Sequence, residues 1–147
     1  MPAKPTHVLD ASAVIAYLKG EPGHEVLADL LTDPGTHLAI HIINACEVYY
    51  NYLGADGLAV AERAWEITAA VATIIEMTDV QFAKRVGRWK VDHGLGLGDS
   101  IAAATAEQYS CPLVTTDHRD FDPIGAAGAL PILWLRPGGG LPLAGGP

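Results

Sequence analysis

Short apolar runs and longer amphipathic stretches alternate along this chain, the first suited to strands and the second to helices. THVLD (6–10) is a β-branched and aliphatic run that ends in an acid. ASAVIAYLKG follows, with Val14, Ile15 and Leu18 at helical spacing before Gly20 stops the helix. Pro22 is predicted to open a second helix through about Thr32, with Val26, Leu27, Leu30 and Leu31 on one face. HLAIHII (37–43) reads as the next strand. Asn44 is predicted to cap a helix to about Leu53, and Gly57 to begin another carrying Ala61, Ala64, Trp65 and Thr68. ATIIEM (72–77) is a third strand, and residues 79–93 form a helix whose apolar side is Val80, Phe82, Ala83, Val86 and Trp89. GLGLG (94–98) is expected to be a flexible turn, and Asp99 to open an alanine-rich helix. CPLVTT (111–116) and LPILWL (130–135) complete the pattern as strands four and five.

Strands alternating with helices predict an α/β fold with a mostly parallel central sheet of four to five strands. Uncharged strands such as LAIHII and PLVTT suit a sheet covered on both faces. At 147 residues, half of them hydrophobic, the chain fits one domain with a sizeable core. The folded part is expected over 1–136. Residues 137–147 are too rich in Gly and Pro to pack and are expected to be a disordered tail.

Cys46 and Cys111 form no CxxC pair, so reduced thiols in a reducing cytoplasm are expected rather than a disulfide framework or a zinc motif. Asp10 interrupts the first apolar run, which removes a signal-peptide reading, and no apolar stretch is long enough for a membrane span. The net charge of −8 argues against nucleic-acid binding through overall basicity. The cations are unevenly placed, however. Lys84, Arg85, Arg88 and Lys90 are four of the nine Lys and Arg residues, and on one helix they suit either a phosphate backbone or a solvated face.

The acids carry the candidate chemistry. In an open parallel sheet, ligands bind outside the carboxyl ends of the strands. Asp10 and Asp117 fall just past predicted strand ends, Glu47 lies four residues past another, and Asp99 opens a helix expected at the same edge. Each also has a structural reading. Asp10 and Asp99 suit N-caps, Asn44 and Glu47 have capping-box spacing, and Asp117 suits a turn. Four such acids at one rim would repel one another unless a hard divalent cation, Mg²⁺ or Mn²⁺, neutralised them. Such a site suits phosphodiester hydrolysis.

At these residues the chain resembles the PIN domains, and among them the VapC toxins of prokaryotic toxin–antitoxin pairs. The resemblance runs from residue 8 to about 135. It rests on VLDASAVIAYL (8–18), NACEVYYNYL (44–53), GLGLGDSIAAATA (94–106) and LVTTDHRDFDPI (113–124), four blocks in the family's order. It implies a three-layer α/β/α fold and a metal-dependent endoribonuclease acting on structured RNA such as tRNA or rRNA. It also implies a VapB-type antitoxin and a homodimer. By this resemblance Asp10, Glu47, Asp99 and Asp117 are the acidic quartet. Ser12 and Thr116 are hydroxyls that orient a carboxylate or a metal-bound water, and Asp120 is an outer acid. A phosphatase with Asp10 as nucleophile is disfavoured because Ser12 stands where that chemistry wants a second acid. A PIN-like module that binds RNA or protein without cleaving is the alternative of a different class.

Other features have simpler readings. His118 is expected to be a solvated loop histidine. His37 and His41 share a strand face without a third zinc ligand. GLGLG follows a helix rather than a strand, so it is no dinucleotide fingerprint. Tyr49, Tyr50 and Tyr52 are expected to be partly buried between helices, with stacking on RNA bases or lining of an antitoxin groove as alternatives. Trp65 and Trp89 are expected in the core or a dimer interface.

Overall fold

The computed structural model describes residues 3–138. From residue 139 onward, the tail expected to be disordered lies outside the described residues. Five strands form one sheet, all paired in parallel: β1 (His7–Leu9), β2 (Leu38–His41), β3 (Thr73–Ile75), β4 (Leu113–Thr115) and β5 (Ile132–Trp134). Their spatial order is β3-β2-β1-β4-β5. The chain winds outward from β1 in one direction and then restarts beside β1 with β4. That reversal is the switch point at which open parallel sheets leave a crevice.

Seven helices cover the sheet: α1 (Ala11–Lys19), α2 (His24–Thr32), α3 (Ile42–Asp56), α4 (Leu58–Val71), α5 (Val80–His93), α6 (Leu97–Tyr109) and α7 (His118–Ala126). Successive strand residues point to opposite faces, and here both directions are apolar. Leu9, Ile40 and Val114 pack with Val14, Leu27 and Val48 of α1–α3 and Ala64 of α4. Val8, Ala39 and Leu113 pack with Phe82, Val86 and Trp89 of α5, the alanines of α6, and Phe121 and Ile124 of α7. The result is the three-layer α/β/α arrangement expected. In α6, residues Ser100 to Ala106 are all buried, and their small side chains let the helix lie close against α5, α3 and the strands.

Several local expectations are corrected. No helix was expected between the last two strands, yet α7 is there, since parallel neighbours need a crossover. The second helix starts at His24 rather than Pro22. Gly23, at φ +95°, presses so closely on the Leu135 carbonyl that a Cβ there would lie 2.1 Å from the oxygen. The second strand stops at His41, which itself caps α3: its Nδ1 accepts from the Ile43 amide at 3.1 Å. Asn44 is therefore not a cap but a buried residue inside α3. Likewise Asp99 lies in the first turn of α6 rather than at its cap, and only Gly94–Gly96 of the glycine run stay outside helices. Among the described residues no helix is long and apolar enough to cross a membrane.

Candidate metal centre

Asp10 ends the passage from β1 into α1 and caps that helix, its Oδ1 accepting from the Ala13 amide at 2.9 Å. It is buried, and two hydroxyls reach it. Ser12 Oγ donates to Oδ1 at 2.7 Å, and Thr115 Oγ1, from the end of β4, donates to Oδ2 at 2.5 Å. Those hydroxyls are held in turn by the backbone beyond β4. The Thr116 amide donates to Ser12 Oγ at 3.0 Å and the Asp117 amide to Thr115 Oγ1 at 2.9 Å. Three of the roughly four lone-pair directions of the Asp10 carboxylate are thereby occupied, which leaves Oδ2 one direction and the side chain little freedom.

The hydroxyl on Asp10 thus belongs to Thr115. Thr116, expected to orient a carboxylate or a metal-bound water, here donates its backbone amide to Ser12 Oγ. Ser12 Oγ reaches Asp10.

Asp117 caps α7, accepting from the Asp120 amide at 3.1 Å. Both it and Asp120 then face Asp99 from the first turn of α6. Asp99, Asp117 and Asp120 each offer a carboxylate oxygen, and those oxygens lie within 4.8 Å of one another. Asp120, expected as an outer acid, is therefore a member of the tightest group. Asp10 and Glu47 lie outside that trio, although each feels its charge. Glu47 projects from α3 toward the start of α6, where a Cβ on Gly98 would stand 2.9 Å from its Oε1. One helical turn earlier, Asn44 Nδ2 donates to the Gly98 carbonyl at 3.0 Å and fixes α3 against α6. Asn44 Oδ1 is buried without a protein hydrogen-bond partner among the described residues.

Crowding and burial raise Asp10, Glu47, Asp99 and Asp117. Burial, then hydrogen bonding to Asp120 and the charges of Asp117, Asp10 and Asp120, pushes Asp99 up to about 8. Burial lifts Asp10 to about 6 against the opposing pull of Thr115, Ser12 and the Ala13 amide. Glu47 is raised by burial and by Asp117. Asp117 is raised chiefly by burial, while the Asp120 amide and Arg119 work the other way. Such a group cannot hold its full charge near neutrality without a counter-charge. An all-oxygen set of this kind is the donor chemistry of Mg²⁺ or Mn²⁺, so the residues fit such an ion.

The PIN domain family model matches residues 7–126. The chain belongs to the PIN domain family. No curated protein matches this PIN domain in sequence. VapBC2 from Rickettsia felis, bound to a DNA fragment from its promoter, superposes with a TM-score of 0.70 at 18% identity, covering 87% of this chain and 97% of that one. VapBC-1 from nontypeable Haemophilus influenzae gives 0.68 at 20% identity, over 88% and 97%. VapC20 from Mycobacterium tuberculosis, described as a sarcin–ricin-loop-cleaving toxin, gives 0.64 at 17%, over 81% and 95%. At these identities the likeness establishes the shared fold.

Among the described residues, the basic residues of α5 form no ion pair with the rim acids. Arg85 pairs with Glu107 at 3.2 Å near the far end of α6, and Lys90 Nζ donates to the Leu95 carbonyl at 3.2 Å. Lys84 and Arg88 are exposed. Trp89 is buried in the core and donates to Glu107 at 2.9 Å. Tyr49 and Trp65 meet edge to face at 6.2 Å, while Tyr50 stands exposed. His118 is no solvated loop residue. It starts α7 with its ring stacked on Trp134 at 3.7 Å.

Proposed function

We propose that this PIN domain is a Mg²⁺- or Mn²⁺-dependent endoribonuclease of the VapC type, the toxin of a toxin–antitoxin pair, cutting structured RNA such as tRNA or rRNA. The observation that carries the reading is the trio Asp99, Asp117 and Asp120, gathered beside a buried, triply hydrogen-bonded Asp10 at the sheet's switch point. The trio would hold the ion, with Asp10 and Glu47 as further oxygen donors directly or through water. Bound there, a divalent ion supplies counter-charge, a more acidic water and stabilisation of the phosphoryl oxygens. Ser12 and Thr115 keep Asp10 aimed, and the Asn44–Gly98 bond sets Glu47 against α6.

The description of the M. tuberculosis relative supports RNA as the substrate class. The Rickettsia and Haemophilus relatives were solved as VapBC, which supports a VapB-type partner. Exposed Ile43, Tyr50 and Leu53 on α3 and Leu58 and Val60 on α4 offer apolar surface to that antitoxin or to a second copy in a homodimer. The two free thiols suit a cytoplasmic protein.

Cleavage of total RNA with end mapping, in Mg²⁺, Mn²⁺ or EDTA and with Asp99→Asn as control, tests the reading. Discrete cuts that need the metal and vanish in the variant are expected. Folded, antitoxin-free protein that binds RNA but cuts none with either metal would instead be a binding module.

A further inference from the structure

A cavity of about 510 Å³ opens beside the acidic rim, bounded by Thr116, Asp117, His118, Arg119, Asp122 and Arg136. Its size falls in the range of small-ligand sites, roughly 300–1,000 Å³. Most of its wall is fixed. The His118 ring lies on Trp134, and its nitrogens meet Asp122 Oδ1 at 2.7 Å and the Arg136 carbonyl at 2.6 Å, so both are engaged. The Arg136 guanidinium is anchored by Glu21 Oε1 at 3.2 Å and the Pro22 carbonyl at 3.4 Å.

Arg119 differs. It is exposed and forms no ion pair among the described residues. It stands two positions after Asp117, in a chain of net charge −8. A phosphodiester strand nearing five carboxylates is repelled except where a cation offsets them. The uncommitted guanidinium beside the cluster is Arg119, whereas Arg85 and Lys90 of α5 are already tied to Glu107 and the Leu95 carbonyl.

We propose that this cavity seats the RNA nucleotide next to the bond that is cut, with Arg119 holding that nucleotide's phosphate as a positioning residue. The proposal rests on the nuclease reading above. Arg119's planar fork suits two phosphate oxygens at once, and Arg136 adds a fixed positive charge along the same wall.

The test is binding of labelled bulk tRNA in Mg²⁺ to the full chain carrying Asp99→Asn, which removes cleavage, over salt from about 50 to 200 mM. Adding Arg119→Gln is expected to weaken binding about tenfold, as loss of a charged hydrogen bond does. The slope of log affinity against log salt should fall by about one. Arg119→Lys should restore the slope but only part of the affinity, and Arg63→Gln on α4 should change neither. In the cleaving parent, Arg119→Gln should raise KM more than it lowers kcat. If the parent binds and cuts tRNA while Arg119→Gln leaves affinity and slope unchanged, the subsite is wrong, the nuclease stands, and the cavity is left to a partner protein. A parent that neither binds nor cuts any RNA overturns both.

Discussion

At the carboxyl ends of β1 and β4, five acids crowd together and no lysine or arginine among the described residues forms an ion pair with any of them. On α5 the situation is reversed. Of its four cations, Arg85 is paired with Glu107 and Lys90 with a carbonyl, while Lys84 and Arg88 face solvent. Asp10, Glu47, Asp99 and Asp117 are half-buried or buried and raised in pKa; the α5 cations are mostly exposed, and among the described residues Arg85 alone of them has an ion-pair partner. Uncompensated like charges held by buried hydrogen bonds cost stability, and folds keep such an arrangement where function uses it. A helix face whose charges are solvated or paired at the surface needs no such explanation. The contrast separates a site from a surface more firmly than either sequence motif does.

The largest expected effect is at the rim. Asp99→Asn should reduce RNA cleavage by about a thousandfold, the scale on which loss of one electrostatic group acts in a preorganised site. In EDTA the same variant should melt at or above the parent's temperature, because it removes the repulsion between Asp99 and Asp10, Asp117 and Asp120. Near-normal turnover would take Asp99 out of the site. A lowered melting point would make it a structural acid like those that cap helices elsewhere in the chain.

Gly98→Ala should come next, with roughly tenfold to hundredfold lower activity, the scale of a disturbed ligand support. The added Cβ would meet Glu47 Oε1 at 2.9 Å, and the carboxylate must swing away. Stability should not suffer, since alanine is the better helix former by about 1 kcal/mol and the obstructed atom ends a flexible side chain. Equal losses of activity and melting temperature would show that Glu47 matters only for packing.

The pH dependence of stability should carry the same signature. In the folded, metal-free protein Asp99 sits at about 8 and Asp10 at about 6, against an ordinary value of 3.8. The folded state therefore binds more protons than the unfolded chain between those limits. The stabilising contribution of the protonated acids is complete below pH 4 and is lost as pH rises through 6 and then 8. Melting in EDTA should drop by several degrees from pH 5 to pH 8, and saturating Mn²⁺ should recover most of the loss at pH 8. A flat profile in EDTA would mean that the rim acids are not crowded in solution.

Much of this was legible from residues alone. The five strands and the helices up to α6 follow from apolar runs and spacing, and the acids from their places just beyond strand ends. What the sequence hid were features set by tertiary contact. α7 carries Pro123 and four ionisable residues in its first five positions, and its hold on the core is little more than Phe121 and Ile124. His41 looks like a strand residue only, until its cap on the Ile43 amide and its Nε2 contact with the Met77 carbonyl are seen. Thr115 and Thr116 are adjacent and chemically identical, and only the register of β4 beside β1 decides which hydroxyl turns to Asp10. Asp120 lies beside Asp99 and Asp117 because α7 begins where it does, a position that no spacing in the sequence shows.

The smallest effects should come from α5, and they complete the comparison. Arg85→Gln removes a half-exposed pair with Glu107, and such pairs contribute about 0.5 kcal/mol, a change of a few degrees at most in melting temperature. Its effect on tRNA affinity should stay within about twofold. Arg88→Gln removes an unpaired exposed charge and should weaken affinity two- to threefold without affecting stability, through the long-range attraction of a phosphate strand. Eight residues of helix separate Asp99 from Glu107, about 12 Å along α6, so Arg85, held at Glu107, can assist an RNA already at the rim only from a distance. If Arg88→Gln instead lowers affinity as much as Arg119→Gln and takes a full unit off the salt slope, the strand runs over α5, and the helix is a binding surface rather than a solvated face.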